Sequence, residues 1–204
     1  MRSTHATMRE MNQPPATYDD IKAAPEGVRA ELIDGELFLQ AHPAFDHQSV
    51  LFRLCGSLDR RFAAPTADAS EPPTGWVLAP GPELWLGGVV PQSLVLVPDV
   101  AGWRRGRFAR SPDSHGVVVA PDWVCEILSP STQRYDRLNK AAAYAGAGVD
   151  WYWLIDPIAR FVEVFERQDG AYVRVAAVAA EERAALQPFG GEPVALATWW
   201  ADLG

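Results

Sequence analysis

The chain has 204 residues, 48% hydrophobic and 22% charged, which suits one globular domain with a sizeable core. No apolar run approaches the roughly 20 residues of a membrane helix, and the two cysteines, Cys55 and Cys125, form no CxxC pair. Against 18 basic residues stand 26 acidic ones, a net charge of −8 that argues against a broadly basic nucleic-acid coating protein, though not against an enzyme holding phosphate through metal ions.

Residues 1–15 are polar, lack the apolar middle of a signal peptide, and read as a disordered leader; 16–204 read as a single domain, with the cytoplasm as the expected location. Thr17 is placed to cap a short helix from Tyr18 to Ala24. Arg29 to Gln40 reads as a β-hairpin around Asp34-Gly35, with Glu31 on its first strand. From Phe45 to Phe62, Val50, Leu51, Leu54 and Leu58 recur at helical spacing. Ala63 to Thr74 should be a surface loop. Strands are expected at Trp76–Ala79, Glu83–Leu86, Leu94–Val100, Gly116–Ala120 and Trp123–Leu128. Ser131 can cap a helix from about Thr132 to Ala145, stopped at Gly146 and Gly148. Strands at Trp151–Asp156, Phe161–Arg167 and Tyr172–Val175 follow, and the tail through Trp199-Trp200 folds back. This order predicts an α/β domain, a mixed sheet flanked by helices.

Strand parity marks the first chemical candidates. Val95, Val97 and Asp99 share one face, so Asp99 emerges at the end of an apolar strand. Glu126 lies inside the buried-looking run Trp123-Val124-Cys125-Glu126-Ile127-Leu128, where a carboxylate is costly unless protonated, paired or metal-bound. Pairing with an arginine across the sheet is the competing account. Asp136, Lys140 and Tyr144 share a helical face; Asp136 reads as part of an exposed ion pair, whereas the Lys140 stem can reach back to the Glu126 strand. His47 reads as a surface or helix-capping residue. The segment from Trp103 to Arg110 carries four arginines and no acid, so it is either a solvated loop or a phosphate contact. Arg104, Arg105, Arg107, Arg110, Arg53 and Arg134 are the phosphate-contact candidates. No GxSxG elbow and no P-loop is present.

The pieces Glu31-Leu32-Ile33-Asp34-Gly35-Glu36-Leu37, His47, Pro98-Asp99-Val100 and Pro121 to Thr132 resemble the Uma-type restriction endonucleases, a branch of the PD-(D/E)XK superfamily. So do Asp136, Lys140, Tyr144, Gly148-Val149 and Trp151 to Pro157. The resemblance implies a restriction-endonuclease-like core with an N-terminal β-hairpin and a Mg²⁺- (or Mn²⁺-) dependent site that hydrolyses DNA phosphodiester bonds. It places Asp99 on the motif's Asp, Glu126 on its second acid and Glu31 on a further acid, with Asp99, Glu126 and the Ile127 carbonyl as expected metal ligands. Leu128 departs from the superfamily's Lys. Lys140 sits where this branch carries its lysine, and is expected to position the attacking water. Two other readings stay open: a nuclease-fold binding or assembly module, with Trp151 to Trp153 and Trp199-Trp200 as a homodimer interface, and another metal-dependent hydrolase of small phosphorylated or carbonyl substrates.

Overall fold

The computed structural model describes residues 14–63, 75–87, 93–109, 115–179, 182–191 and 193–203. Most of the leader, most of the 63–74 loop and Arg110 lie outside these residues. The chain opens with α1 (Tyr18–Lys22) and the hairpin β1 (Arg29–Ile33) and β2 (Glu36–Gln40). The hairpin turns on Asp34 (φ 50°) and Gly35 (φ 78°), the left-handed pair that an Asp-Gly loop supplies. The helix α2 (Phe45–Phe62) buries His47, Val50, Leu54 and Leu58 along one stripe. Then come β3 (Trp76–Pro80), β4 (Leu84–Trp85), β5 (Leu94–Leu96), β6 (Val100–Arg104) and β7 (Trp123–Ile127).

A helix leads on from β7 in three pieces: α3 (Gln133–Tyr135), a π-helical turn over Asp136–Lys140, and α4 (Ala141–Gly146). Its N-cap is Thr132 rather than Ser131, and the Ser129 hydroxyl accepts the Thr132 N–H at 3.2 Å. The chain finishes with β8 (Trp151–Asp156), β9 (Phe161–Gln168), β10 (Ala171–Ala179), the small pair β11 (Arg183–Ala184) and β12 (Val194–Ala195), and a 3₁₀ turn over Leu196–Trp200.

Two main sheets result, one of order β2-β1-β5-β4 and one of order β10-β9-β8-β7-β6-β3. Only β7 and β8 in the larger sheet run parallel, linked by the α3–α4 helix, and the rest pair antiparallel. This is the mixed sheet flanked by helices that the sequence predicts. Alternation along β7 and β8 divides the core. Trp123, Cys125, Ile127, Trp153 and Ile155 face α2, while Val124, Leu128, Tyr152 and Leu154 face the α4 side with Tyr144.

Three expectations are corrected. Leu94–Val100 is not one strand: it breaks at Val97-Pro98-Asp99, and β5 joins the smaller sheet while β6 joins the larger. Pro98 has no N–H to donate to a ladder, so a central strand cannot run through it. Gly116–Ala120 makes only an isolated bridge from Val117 to Leu84. Trp153, Trp199 and Trp200 are core residues and form no exposed interface. Among the described residues no helix is long and apolar enough to cross a membrane.

Candidate functional site

The break between β5 and β6 brings both sheets to one seam, and buried charge gathers there. Asp99 follows Pro98 in the break, and Val100 pairs with Cys125, so Asp99 faces the C-terminal end of β7. The two acids interlock through the main chain. Asp99 accepts the Ile127 N–H on Oδ2 at 2.8 Å, and the Asp99 N–H reaches Glu126 Oε2 at 3.3 Å. Asp99 also takes Arg29 Nη1 on Oδ1 and His47 Nε2 on Oδ2, both at 2.9 Å. These partners outweigh the cost of burial and lower its pKa to about 2.

Behind this pair lies a fully buried ammonium. Lys140 Nζ stands 2.6 Å from Glu126 Oε1, 3.0 Å from Glu31 Oε1 and 3.3 Å from the Val97 carbonyl, which uses all three of its protons. Tyr144 donates its hydroxyl to Glu126 Oε1 at 2.9 Å. Glu31 further accepts the Val97 N–H at 2.6 Å and the Gln40 amide at 2.7 Å. The π-helical turn helps set this arrangement, because its wider winding holds both Asp136 and Lys140 on the inward face. Burial pushes the Glu126 pKa well up despite Lys140, with Asp99 and Asp136 adding to the rise. Burial likewise raises Asp136 to about 6. Four carboxyl groups, those of Glu31, Asp99, Glu126 and Asp136, thus share two permanent cations, Arg29 and Lys140.

A cavity of about 230 Å³ opens onto this cluster, with Arg29, His47, Asp99, Glu126, Ile127 and Asp136 in its wall. The family model described as "Putative restriction endonuclease", Uma2, matches residues 15–196. The chain belongs to the Uma2 family. Among solved structures it is similar to a putative nuclease belonging to DUF820 from Anabaena variabilis ATCC 29413, at 18% identity and TM-score 0.69, covering 92% of this chain and 98% of that one. That likeness shows a shared fold. No curated protein matches the chain.

Within this Uma2 chain, then, Asp99, Glu126, Glu31 and Lys140 are neighbours, and Ile127 is joined to Asp99 through its N–H. Lys140 departs from expectation. It is sealed from the cavity with every proton engaged, so it cannot orient a water there. Glu126 finds its cation in Lys140, and among the described residues no arginine forms an ion pair with it. Leu128 packs in the apolar core.

The described arginines of the basic segment, Arg104, Arg105 and Arg107, are not brought to the acidic cluster. The segment begins at the far end of β6, about 15 Å from Asp99 at 3.3 Å per residue. There the Arg104 guanidinium stacks on Trp76, Arg105 donates to the Ala63 and Trp76 carbonyls, and Arg107 pairs with Asp122. Arg53 is held by Asp202. Arg134 alone of the described candidates lies beside the cavity, in an adjoining groove.

Sequence reasoning missed three residues. Arg29 lies two positions before Glu31, on the same strand face, a signal that parity could have supplied. His47 lies on the buried stripe of α2, three residues before Val50. Asp136 is buried rather than exposed, on the same inward face of the helix as Lys140.

Proposed function

We propose that this protein is a Mg²⁺-dependent (or Mn²⁺-dependent) endodeoxyribonuclease that hydrolyses DNA phosphodiester bonds in the cavity beside Asp99 and Glu126. The observation that carries the reading is the cluster's charge: Asp99, Glu126 and Asp136 stand with Arg29 in the wall of one cavity, and Glu31 and Lys140 are buried behind them. An additional cation relieves that imbalance.

The donor set fits a hard divalent ion. Among the described residues Asp99 Oδ1 meets only Arg29, and Glu126 Oε2 meets only a long 3.3 Å bond, so each keeps an open lone pair toward them. Among the described residues no group of three or more His, Cys, Asp or Glu side chains is arranged as a ready-made ligand set. Magnesium does not require one, since it keeps several waters and is held through one or two carboxylates. Asp99 and Glu126 would hold it, with the Ile127 carbonyl as a further oxygen. When bound, the ion lowers the pKa of a water and neutralises charge gathering on the phosphate.

The rest of the work falls to the chain's own groups. Lys140, with Tyr144, fixes the Glu126 carboxylate and is a positioning residue. Arg29 holds Asp99 and, with 23% of its side chain exposed, reaches the cavity as a neutralising contact for the substrate phosphate. Asp136, poised near neutrality, accepts the proton released as water attacks phosphorus, while the opposite P–O ester bond breaks and its oxygen leaves with a proton from bulk water.

Plasmid cleavage in Mg²⁺ or Mn²⁺ tests this reading. The parent should nick or linearise the plasmid, and Asp99→Ala and Glu126→Ala should each lose at least ~100-fold in rate. Cleavage that survives both substitutions removes the mechanism.

A further inference from the structure

The acidic cavity is too small for a nucleotide. At about 230 Å³ it lies below the roughly 300–1,000 Å³ of sites that enclose small organic ligands. It has room for a phosphate group and its hydrated ion, so the sugar and base on either side of the scissile bond must lie elsewhere.

The structure offers such a place. A second groove, of about 400 Å³, continues directly from the cavity, and Gln40, Ala41, Ser131 and Thr132 line both. Its walls change in character. Phe38 and Tyr135 form a ring pair with centroids 4.5 Å apart, Asn139 is an exposed amide, and Arg134 is an exposed guanidinium. Among the described residues nothing hydrogen-bonds or pairs with the Arg134 guanidinium. Arg29, Arg53, Arg107, Arg137, Arg167 and Arg174, by contrast, each hold an acid.

We propose that this groove is a subsite for the nucleotide flanking the scissile phosphate, taken as a single strand, with its base against the Phe38–Tyr135 pair and its distal phosphate on Arg134. The proposal rests on the nuclease reading for the identity of the neighbouring phosphate. Three features favour this occupant. The two recesses are continuous, the unpaired cation complements a phosphate, and an aromatic platform next to a cation is the pairing that single strands use, since every base has a face to stack. Asn139 is placed to hydrogen-bond a base edge, which would give the subsite a modest base preference.

Fluorescence anisotropy with a short labelled oligothymidylate, in Ca²⁺ and with the oligomer checked for integrity, tests this. The parent should bind the single strand more tightly than a duplex of equal length. Arg134→Ala should weaken binding about ten-fold, one charge-assisted contact, and should reduce the slope of log affinity against log salt by about 0.7. Arg134→Lys should restore the slope. Ala41→Trp, which fills the passage common to both recesses, should lower affinity with the melting temperature unchanged. An unchanged salt slope in Arg134→Ala, equal affinity for single strand and duplex, or no binding by the parent overturns the proposal. The two readings fail separately: plasmid cleavage with an Arg134-independent slope sinks only the subsite, and Arg134-dependent binding without cleavage sinks only the hydrolysis.

Discussion

Replacing Lys140 by Met keeps the length of the side chain and removes a charge that two buried carboxylates depend on. Glu31 and Glu126 lie within 3.0 and 2.6 Å of the ammonium, and both are almost wholly shielded from water. Removing one partner of such a pair leaves an uncompensated buried charge, at a cost of about 3–5 kcal/mol. Proton uptake limits that cost. Protonating a glutamate of ordinary pKa at pH 7 takes about 3.7 kcal/mol, so the variant escapes further loss by folding with a neutral carboxyl. That acid's pKa is then higher folded than unfolded, and the folded variant binds the extra proton. The stability gap to the parent therefore grows with pH up to the raised carboxyl pKa of the folded variant, and below that it shrinks by about 1.4 kcal/mol for each pH unit until the unfolded acids also protonate, near pH 4–5. Urea unfolding of both proteins between pH 5 and 8 reads this directly. Adding Glu126→Gln to Lys140→Met should recover about 2 kcal/mol at pH 7. A gap under 1 kcal/mol, or one independent of pH, would refute the picture of Lys140 as the neutralising centre of the seam.

Other substitutions probe the remaining parts. Asp99→Asn should cost about 2–3 kcal/mol above pH 4: the Asp99 pKa is depressed to about 2, so its contribution is present above the unfolded value and fades as pH falls from 4 towards 2, as acid titration of the two proteins would show. Asp136→Asn should stabilise the fold by up to about 3 kcal/mol at pH 7, because a carboxyl raised to about 6 opposes folding once ionised, while any cleavage activity drops; calorimetry and a cleavage assay should move in opposite senses. Trp153→Ala empties a fully buried site among Trp123, Phe189 and Trp199, and should cost about 3–5 kcal/mol in chemical denaturation with the pH dependence unaltered.

How far the sequence could be read follows from which interactions are local. Asp34-Gly35 sets its hairpin through backbone angles alone, and α2 is bounded by its own apolar period, so both are visible in a short window. Glu126 stood out because a carboxylate in an apolar strand demands compensation. What compensates it is set by long-range geometry. Parity could place Arg29 beside Glu31, but only the meeting of two sheets at Pro98-Asp99 puts it on Asp99. A helical wheel puts Asp136 on the Lys140 face, and only the packing of that face against the seam of the two sheets shows that it is buried. The arginines between Trp103 and Arg107 looked available to phosphate because sequence does not reveal the Trp76 ring, the carbonyls and Asp122 that engage them.

The most direct test of the central claim is a crystal soaked with Mn²⁺ and measured at the manganese edge. The account predicts an anomalous peak within about 2.5 Å of oxygens from both Asp99 and Glu126, and its loss in Glu126→Gln. A peak elsewhere, or none while Asp99 remains joined to Arg29 and His47, would contradict it.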